Sequence, residues 1–302
     1  RVAFTDRHGS VTTGTYDDQD RLLAYGDATY TYTKNGEIDT RTDAAGTTAY
    51  TYDVLGNLTD VYLPDGTHIH YIVDGRNRRV GKQVNGELES GFIYQDQLNP
   101  VAELDETGTV VSLFIYATRA NVPDYIFSRK ENGTDWSNYR VVSDHLGSPR
   151  LVVDTVTGAI VQELDYDEFG RVLNNNTNPT FQPFGFAGGL YEPQTGLVRF
   201  GARDYDPEVG RWTNKDPALF WGSAFNIYQY SISDPVNCVD PKGEQEKPGD
   251  MFLDYEISDQ LGRSGSTPVV DIVLAAVDLL ASGLLETMVF FDLLNDWSHS
   301  EK

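Results

Sequence analysis

The sequence predicts a mainly β protein built from repeated hairpins, and three observations support this fold class. The 302 residues include 18 Tyr and 28 Gly, a composition typical of short strands joined by tight turns. Turn pairs such as Asn35-Gly36 and Asp65-Gly66 separate stretches in which apolar and polar residues alternate, as expected for half-buried strands in hairpins. A Tyr-Asp motif also recurs along the chain, which indicates one structural unit repeated several times.

The repeated unit is about one hairpin long. Copies of the motif begin at positions 16, 32, 52, 73 and 94, spaced by 16, 20, 21 and 21 residues, and another copy begins at Tyr166. Within a copy, the Asp can cap a turn and a Gly supplies the positive φ that a tight hairpin needs. Because a single hairpin is marginal in water, the units are expected to pack side by side in a long, curling sheet rather than in a compact sandwich.

The regular pattern is interrupted twice. Residues 117–140 lack clean repeats and are predicted to be an insertion or a long loop. Residues 173–183 are rich in Asn and Pro and are predicted to be a connector. We therefore place the hairpin array at residues 1–183 and a second segment, dense in Gly, Asp-Pro and aromatic residues, at 184–243.

Residues 244–302 differ in character from the rest of the chain. A polar linker leads to an apolar stretch at 269–294, which is predicted to be the one C-terminal helix. Its four acidic residues fall on one face, so the helix is amphipathic and a poor membrane span. Three interpretations of this segment are open: an inert packed helix, a membrane-active helix, or the stub of a truncated domain.

Charge balance and cysteine content exclude several classes of function. Lys and Arg total 23 against 46 Asp and Glu, a net charge of −23, so the chain is not expected to bind nucleic acid. Cys238 is the only cysteine, which excludes an intrachain disulfide and a multi-thiolate metal site. The sequence contains no phosphate-binding glycine loop and no zinc motif, and we expect no cofactor and no metal. The chain begins at Arg1 without a targeting segment, so we expect a fragment or a processed piece.

The repeats resemble the YD repeats of the Rhs (rearrangement hot spot) family. The stretch Asp144–Arg150 resembles a segment that precedes the core of that family. The segment that follows resembles the Rhs repeat-associated core over a long, ordered series of motifs, and the resemblance covers residues 1–243. These motifs are Gly185–Gly189, Thr195–Pro207, Gly210–Trp212, Asp216-Pro217, Asn226–Tyr230, Asp234–Asn237 and Asp240–Gly243.

The resemblance implies a spiralling array of hairpins that forms a hollow shell or part of one, closed at one end by the core. The segment after the core would be a variable toxin held inside the shell, as in the insecticidal ABC-toxin C component and type VI secretion effectors; animal teneurins have a related shell. The implied function is to hold and release the chain's own C-terminal segment as cargo. Implied partners are secretion-system or toxin-complex components and an immunity protein, with the protein secreted or at the cell surface. Membrane contact would involve only the C-terminal helix.

The resemblance also implies an aspartyl-protease-like self-cleavage by the core. Asp204 and Asp216 match the family's two aspartates and would activate water or polarise the scissile carbonyl, while Arg203 would orient one carboxylate. Residue chemistry alone favours turn caps and structural ion pairs for the same side chains. The cut is implied near Gly243 and Glu244. Glu244 replaces the family's Leu and would place a charge in an apolar pocket beside the cut.

Two further functions are open at this point. One is a cell-surface or wall-associated structural or adhesion protein without catalytic activity, and the other is glycan binding through exposed tyrosines. Two other groups of residues favour structural roles. Ser143-Asp144-His145 is expected to be a turn, and His68 and His70, which share a strand face, are expected to be exposed polar residues.

Overall fold

The computed structural model describes residues 3–5, 9, 11–130, 133, 135–175, 178, 181–217 and 226–244. Within these residues, seventeen strands form one antiparallel meander, in which each strand pairs with the next in chain order. They are β1 (Ala3–Thr5), β2 (Val11–Tyr16), β3 (Leu22–Tyr25), β4 (Ala28–Tyr32), β5 (Ile38–Asp43), β6 (Gly46–Tyr52), β7 (Leu58–Tyr62), β8 (His68–Val73), β9 (Arg79–Val84), β10 (Glu87–Tyr94), β11 (Pro100–Leu104), β12 (Val110–Ile115), β13 (Tyr125–Arg129), β14 (Trp136–Ser143), β15 (Pro149–Asp154), β16 (Ile160–Tyr166) and β17 (Val172–Asn175). The predicted mainly β fold is confirmed, whereas the predicted C-terminal helix lies outside the described residues.

The Tyr-Asp motif marks the same end of each hairpin that carries it. The anchors at positions 16, 32, 52, 73 and 94 are the last residues of β2, β4, β6, β8 and β10. Because successive strands of an antiparallel meander reverse direction, the motif turns all lie at one end of the sheet and the intervening turns at the other. The predicted unit of one hairpin per repeat is therefore confirmed.

The Asp of the motif builds the turn as predicted. Asp53 Oδ1 accepts hydrogen bonds from the backbone N–H groups of Leu55 and Asn57, at 2.8 and 2.9 Å. Gly56 completes the turn with a φ of +85°, a left-handed conformation that favours glycine. The turn is thus specified locally, before any packing against neighbouring units.

Residues 117–140 are not a long loop, and this prediction was wrong. The segment contains β13 and the first part of β14, which continue the meander. Neither strand carries a Tyr-Asp anchor, so the repeat pattern did not reveal them, although Ile126 is completely buried. The Asn- and Pro-rich connector also begins later than predicted, because β17 runs to Asn175.

A second, four-stranded sheet packs against the repeats. It consists of β18 (Leu190–Tyr191), β19 (Val198–Phe200), β20 (Arg203–Asp206) and β21 (Arg211–Trp212). We call the segment that carries it, residues 184–243, the plug. The centre of the plug is an aromatic cluster in which the ring centroids of Tyr205 and Tyr230 lie 4.3 Å apart. Leu197 and Val209 extend from the plug into the apolar core of the repeats.

The plug binds the motif turns through their backbone carbonyl oxygens. In four successive turns, the acceptor is the fourth residue after the anchor, and each has a positive φ. For example, Tyr228 OH donates to Gly36 O at 2.7 Å. The four acceptors are Asp20, Gly36, Gly56 and Asn77, and their respective donors are Arg211, Tyr228, Asn214 and Arg199. The plug therefore lies at the motif end of the sheet.

The described ranges lack two features. No helix there is long and apolar enough to cross a membrane. No group of three or more His, Cys, Asp or Glu side chains in the same part of the chain is arranged to hold a metal ion.

Candidate active site

Arg203 lies at the centre of a buried ionic cluster in the plug. Strand β20 places its side chain in the interior, where it is fully buried. Its Nη2 atom donates to Asp216 Oδ2 at 2.8 Å and to Asp240 Oδ2 at 3.2 Å. The guanidinium carbon also lies over the Trp212 ring, 4.1 Å from its centroid. Burial lowers the pKa of Arg203 below its ordinary value, and the two carboxylates oppose that shift.

The same cluster holds both sides of the Gly243–Glu244 peptide bond. Arg203 Nε donates a hydrogen bond to Gly243 O, and the Glu244 backbone N–H donates to Asp240 Oδ1 at 3.2 Å. Gly243 has a φ of +62°, and a Cβ at this position would lie 2.3 Å from Phe200 O, so glycine is required. The Asp-Pro-Lys-Gly turn therefore presents one defined carbonyl group to a buried guanidinium.

Asp204 belongs to a different ionic cluster. Adjacent residues of a strand point to opposite faces, so the side chain of Asp204 points away from that of Arg203. Its Oδ1 accepts from Arg79 Nη2 of β9 and its Oδ2 from Arg199 Nη1 of β19, both at 2.9 Å. All three side chains of this second cluster are more than nine-tenths buried. Asp204 therefore ties the plug to the repeats.

The structure brings together part of the predicted site. Arg203 and Asp216 lie with the Gly243 carbonyl, whereas Asp204 pairs elsewhere. Sequence reasoning missed Asp240, although Asp240-Pro241 repeats the Asp-Pro dipeptide of position 216, 24 residues downstream. Glu244 is exposed, so the predicted cost of burying its charge does not arise.

The Ser143-Asp144-His145 triplet is a turn and not a catalytic arrangement. Asp144 Oδ1 accepts hydrogen bonds from the backbone N–H groups of Leu146 and Ser148, both at 3.0 Å. His145 Nε2 contacts a backbone carbonyl of the plug at 2.7 Å. The side chains of Asp144 and His145 thus have separate structural partners.

His68 and His70 lie on one strand face, as predicted. Both contact Asp60 Oδ1, at 2.8 and 2.9 Å, and both are more than a third exposed. Hydrogen bonds from the two histidines contribute to lowering the pKa of Asp60, against an opposing effect of burial.

Comparison with known proteins assigns the family. The sequence model of the Teneurin YD-shell family matches residues 1–236. The chain belongs to the YD-shell family. Human Teneurin-4 is 30% identical to this YD-shell chain over 234 residues, which cover 74% of the chain and 8% of the relative. Teneurin-m of Drosophila melanogaster is 27% identical over 241 residues, which cover 75% of the chain and 8% of the relative.

The YD-shell chain spans about 8% of the length of the curated relatives that it matches. Among solved structures, the crystal structure of TcdB2-TccC3-Cdc42 matches 80% of this chain and 19% of the other chain. The identity in that match is 14% and the TM-score is 0.34.

Proposed function

We propose that this chain is an encapsulating shell with a self-cleaving plug, which holds its own C-terminal segment and releases it by cutting the Gly243–Glu244 peptide bond. The observation that carries the proposal is the contact of Arg203 with the carbonyl oxygen of this bond, combined with the contact of Asp240 with its amide nitrogen. The Asp240 contact is the same turn hydrogen bond that Asp53 makes to the Asn57 N–H. The contact that distinguishes the Gly243–Glu244 bond is therefore the buried Arg203 guanidinium on its carbonyl oxygen.

The arrangement suits acid–base hydrolysis. The Arg203 guanidinium is placed to stabilise the negative charge that develops on Gly243 O when the carbonyl carbon is attacked. One carboxylate of the Asp216–Asp240 pair would take a proton from the attacking water, and the other, carrying a proton, would give it to the Glu244 nitrogen. The C–N bond then breaks, leaving a new carboxyl group on Gly243 and a new amino group on Glu244.

Asp204 enters the proposal as a positioning residue. It was predicted as one of the two catalytic aspartates, but its two oxygens bind Arg79 and Arg199. By anchoring β20 to β9 and β19, Asp204 would keep the neighbouring Arg203 aimed at the Gly243 carbonyl.

Intact-mass measurement of the purified chain tests the proposal. The wild type should give two fragments divided between residues 243 and 244. Asp216→Asn and Asp240→Asn should each give a single uncut species, because each leaves the bond without one of its two carboxyl groups. Asp234→Asn is the matched control, since Asp234-Pro235 is another Asp-Pro dipeptide of the plug and the Asp234 side chain binds Asn237. An uncut wild-type chain would contradict self-cleavage.

The cargo in this proposal is residues 244–302, and its partners would be a secretion system or toxin complex and an immunity protein, with delivery outside the producing cell. Support comes from the YD-shell family and from the position of the plug at the motif end of the sheet. Size-exclusion chromatography after cleavage tests the retention of the cargo. The C-terminal fragment should elute with the shell under native conditions and separate from it in denaturant.

A second candidate function is a structural or adhesion role without catalytic activity. It is favoured by the teneurin relatives, which reach 30% identity over most of this chain. In that case the Arg203 cluster would only lock the last turn of the plug. A wild-type chain that stays intact, with an Asp216→Asn variant that is merely less stable, would support this alternative.

A further inference from the structure

Three side chains that could form a covalent bond meet where the plug touches the repeats. Lys82 Nζ on β9 lies 2.8 Å from Glu192 Oε1 and 2.9 Å from Gln194 Oε1. Glu192 and Gln194 belong to the segment of the plug between β18 and β19. An amine, a carboxylate and a primary amide from distant parts of the chain are therefore in direct contact.

The amide carbon of Gln194 is close to the lysine nitrogen. Because a C=O bond is about 1.2 Å long, Gln194 Cδ can be no more than about 4.1 Å from Lys82 Nζ. Reacting atoms in a near-attack arrangement are roughly 3–3.5 Å apart. A movement of about 1 Å therefore brings the nitrogen within reach of the amide carbon.

Glu192 is placed to carry protons for such a reaction. Lys82 is 8% exposed and Glu192 is 6% exposed. Transfer of one proton from the ammonium group to the carboxylate leaves both groups neutral, which removes the cost of keeping two charges away from water. Tyr71 OH donates a hydrogen bond to Glu192 Oε2 at 3.1 Å. The other carboxylate oxygen, Oε1, is therefore the one that faces Nζ.

The geometry points to an isopeptide bond between Lys82 and Gln194, which the chain forms by itself. Glu192 takes a proton from the lysine ammonium group, and the lone pair of Nζ attacks Gln194 Cδ. The Nζ–Cδ bond forms and the Cδ–Nε2 bond breaks, while protons from Nζ pass through Glu192 to Nε2. Nε2 leaves as an ammonium ion, so one lysine ammonium group and one primary amide become one secondary amide and one ammonium ion. The reaction needs no oxidant and no other co-reactant.

The surroundings have room for the leaving group. Lys82 and Gln194 line a cavity of about 110 Å³ together with Tyr71 and Phe92. Ammonia is close in size to water, which occupies about 30 Å³ in the liquid, so the cavity can hold it. Gln194 is also exposed at the surface, so the released ammonium ion can enter the solvent. The bond that remains joins β9 of the repeats to the plug covalently.

Intact-mass measurement of the purified chain tests the inference. Lys82 and Gln194 both precede Gly243, so the measurement applies equally to an uncut chain and to the N-terminal fragment of a cut one. The wild type should be lighter than its sequence by one ammonia molecule, about 17 Da. Lys82→Arg and Gln194→Met should have their full sequence masses, because each lacks one of the two reacting groups. Digestion of the wild type with trypsin should give one branched peptide in which Lys82 is joined to Gln194.

Two further variants test the role of the carboxylate. Glu192→Gln keeps both reacting groups but removes the proton carrier, so it should have its full sequence mass. Glu89→Gln is the matched control, since Glu89 contacts the same Nζ at 3.2 Å but its side chain is 44% exposed. The loss of ammonia should therefore remain in Glu89→Gln.

Each of the other outcomes contradicts a different part of the inference. A wild type of full sequence mass would overturn it, whatever the variants show. A loss of one water molecule, about 18 Da, would overturn Gln194 as the acceptor, because this mass is lost when a lysine joins a carboxyl group. A loss of ammonia that persists in Gln194→Met would overturn the assignment to this site, and one that persists in Glu192→Gln would overturn the role of Glu192.

Discussion

At the scale of the single residue, Asp206 is a carboxyl group that the fold keeps away from water. It ends β20, is 9% exposed and borders a cavity of about 420 Å³ with Glu208 and Arg41. Burial raises the pKa of Asp206 from 3.8 to about 6; the charge of Glu208 adds to the shift and that of Arg41 opposes it. The proton is therefore bound more tightly in the folded chain than in the unfolded chain.

The sign of the resulting pH dependence follows from linkage. A carboxyl group with a raised pKa in the folded state stabilises the fold fully below pH 3.8, and this contribution is lost as the pH rises through about 6. Asp206→Asn should therefore raise the free energy of unfolding at pH 8 by up to about 3 kcal/mol and change little at pH 4. Urea unfolding at the two pH values measures this. Glu106→Gln, on an exposed hairpin tip, should have no such effect at either pH.

The residue scale is also where sequence reasoning about the site reached its limit. The family resemblance singled out Arg203 and Asp216, and their side chains form an ion pair. The sequence could not show that the side chain of Asp204 points away from that of Arg203. That orientation follows only once residues 203–206 are known to form a strand, in which neighbouring side chains point to opposite faces. Asp240 was missed because contacts between segments 37 residues apart depend on how the plug folds.

At the scale of the element, strand β16 lies between two turns that each contain a glycine with a positive φ, in different surroundings. Gly158 precedes β16 and Gly170 follows it, with φ values of +73° and +88°. A Cβ on Gly158 would meet nothing within 4 Å. A Cβ on Gly170 would lie 2.2 Å from the ring of Phe186, a buried residue of the plug. A substitution at Gly158 therefore tests backbone strain alone, whereas the same substitution at Gly170 tests backbone strain together with the packing of the plug.

Gly158→Ala should destabilise the chain by about 1–2 kcal/mol, the cost of a left-handed conformation for a residue with a Cβ. Gly170→Ala should cause the same backbone strain and also displace Phe186. We expect it to lower the free energy of unfolding by about 1–3 kcal/mol more than Gly158→Ala does. The free energy of unfolding in urea gives both values. Equal losses for the two variants would contradict the contact between the Gly170 turn and the plug.

The elements differ in how readily their sequence reveals them. For hairpins that carry a Tyr-Asp anchor, the sequence correctly predicted one hairpin per repeat. The reason is that hydrogen bonds to Asp53 and the positive φ of Gly56 form the turn within a few residues. Strands β13 and β14 lack the tyrosine of the motif. The turn after β14 nevertheless has the same Asp chemistry, since Asp144 Oδ1 accepts from the N–H groups of Leu146 and Ser148. What the repeat pattern did not show is that β13 and β14 pair with each other and with β12 and β15.

At the scale of the whole molecule, Lys82 connects the repeats to the plug. Its Nζ contacts Glu192 of the plug at 2.8 Å and Glu89 of the neighbouring strand at 3.2 Å. The Glu192 side chain is 7% exposed, whereas that of Glu89 is 44% exposed. Glu192 Oε2 also accepts a hydrogen bond from Tyr71 OH, at 3.1 Å. The buried pair thus spans two parts of the chain that are 110 residues apart.

Glu192→Gln should lower the free energy of unfolding by about 3 kcal/mol, because it leaves a buried ammonium group without its main partner. Glu89→Gln removes the other carboxylate from the same lysine and should cost less than about 1 kcal/mol, since that pair is open to solvent. Urea unfolding monitored by far-UV circular dichroism compares the two. Similar losses in both variants would show that the plug is not held through this pair.

The hydrogen bonds from plug side chains to carbonyl oxygens of the motif turns determine which mutations in the repeats leave the plug bound. Four turns present a main-chain oxygen from the same position, held there by a left-handed residue that is Asp, Gly, Gly or Asn. A side-chain substitution elsewhere in a turn leaves that oxygen in place, so repeat sequences can drift without losing the plug. Adding or deleting one residue inside a turn moves the oxygen, and we expect the length of these turns to be under stronger selection than their composition.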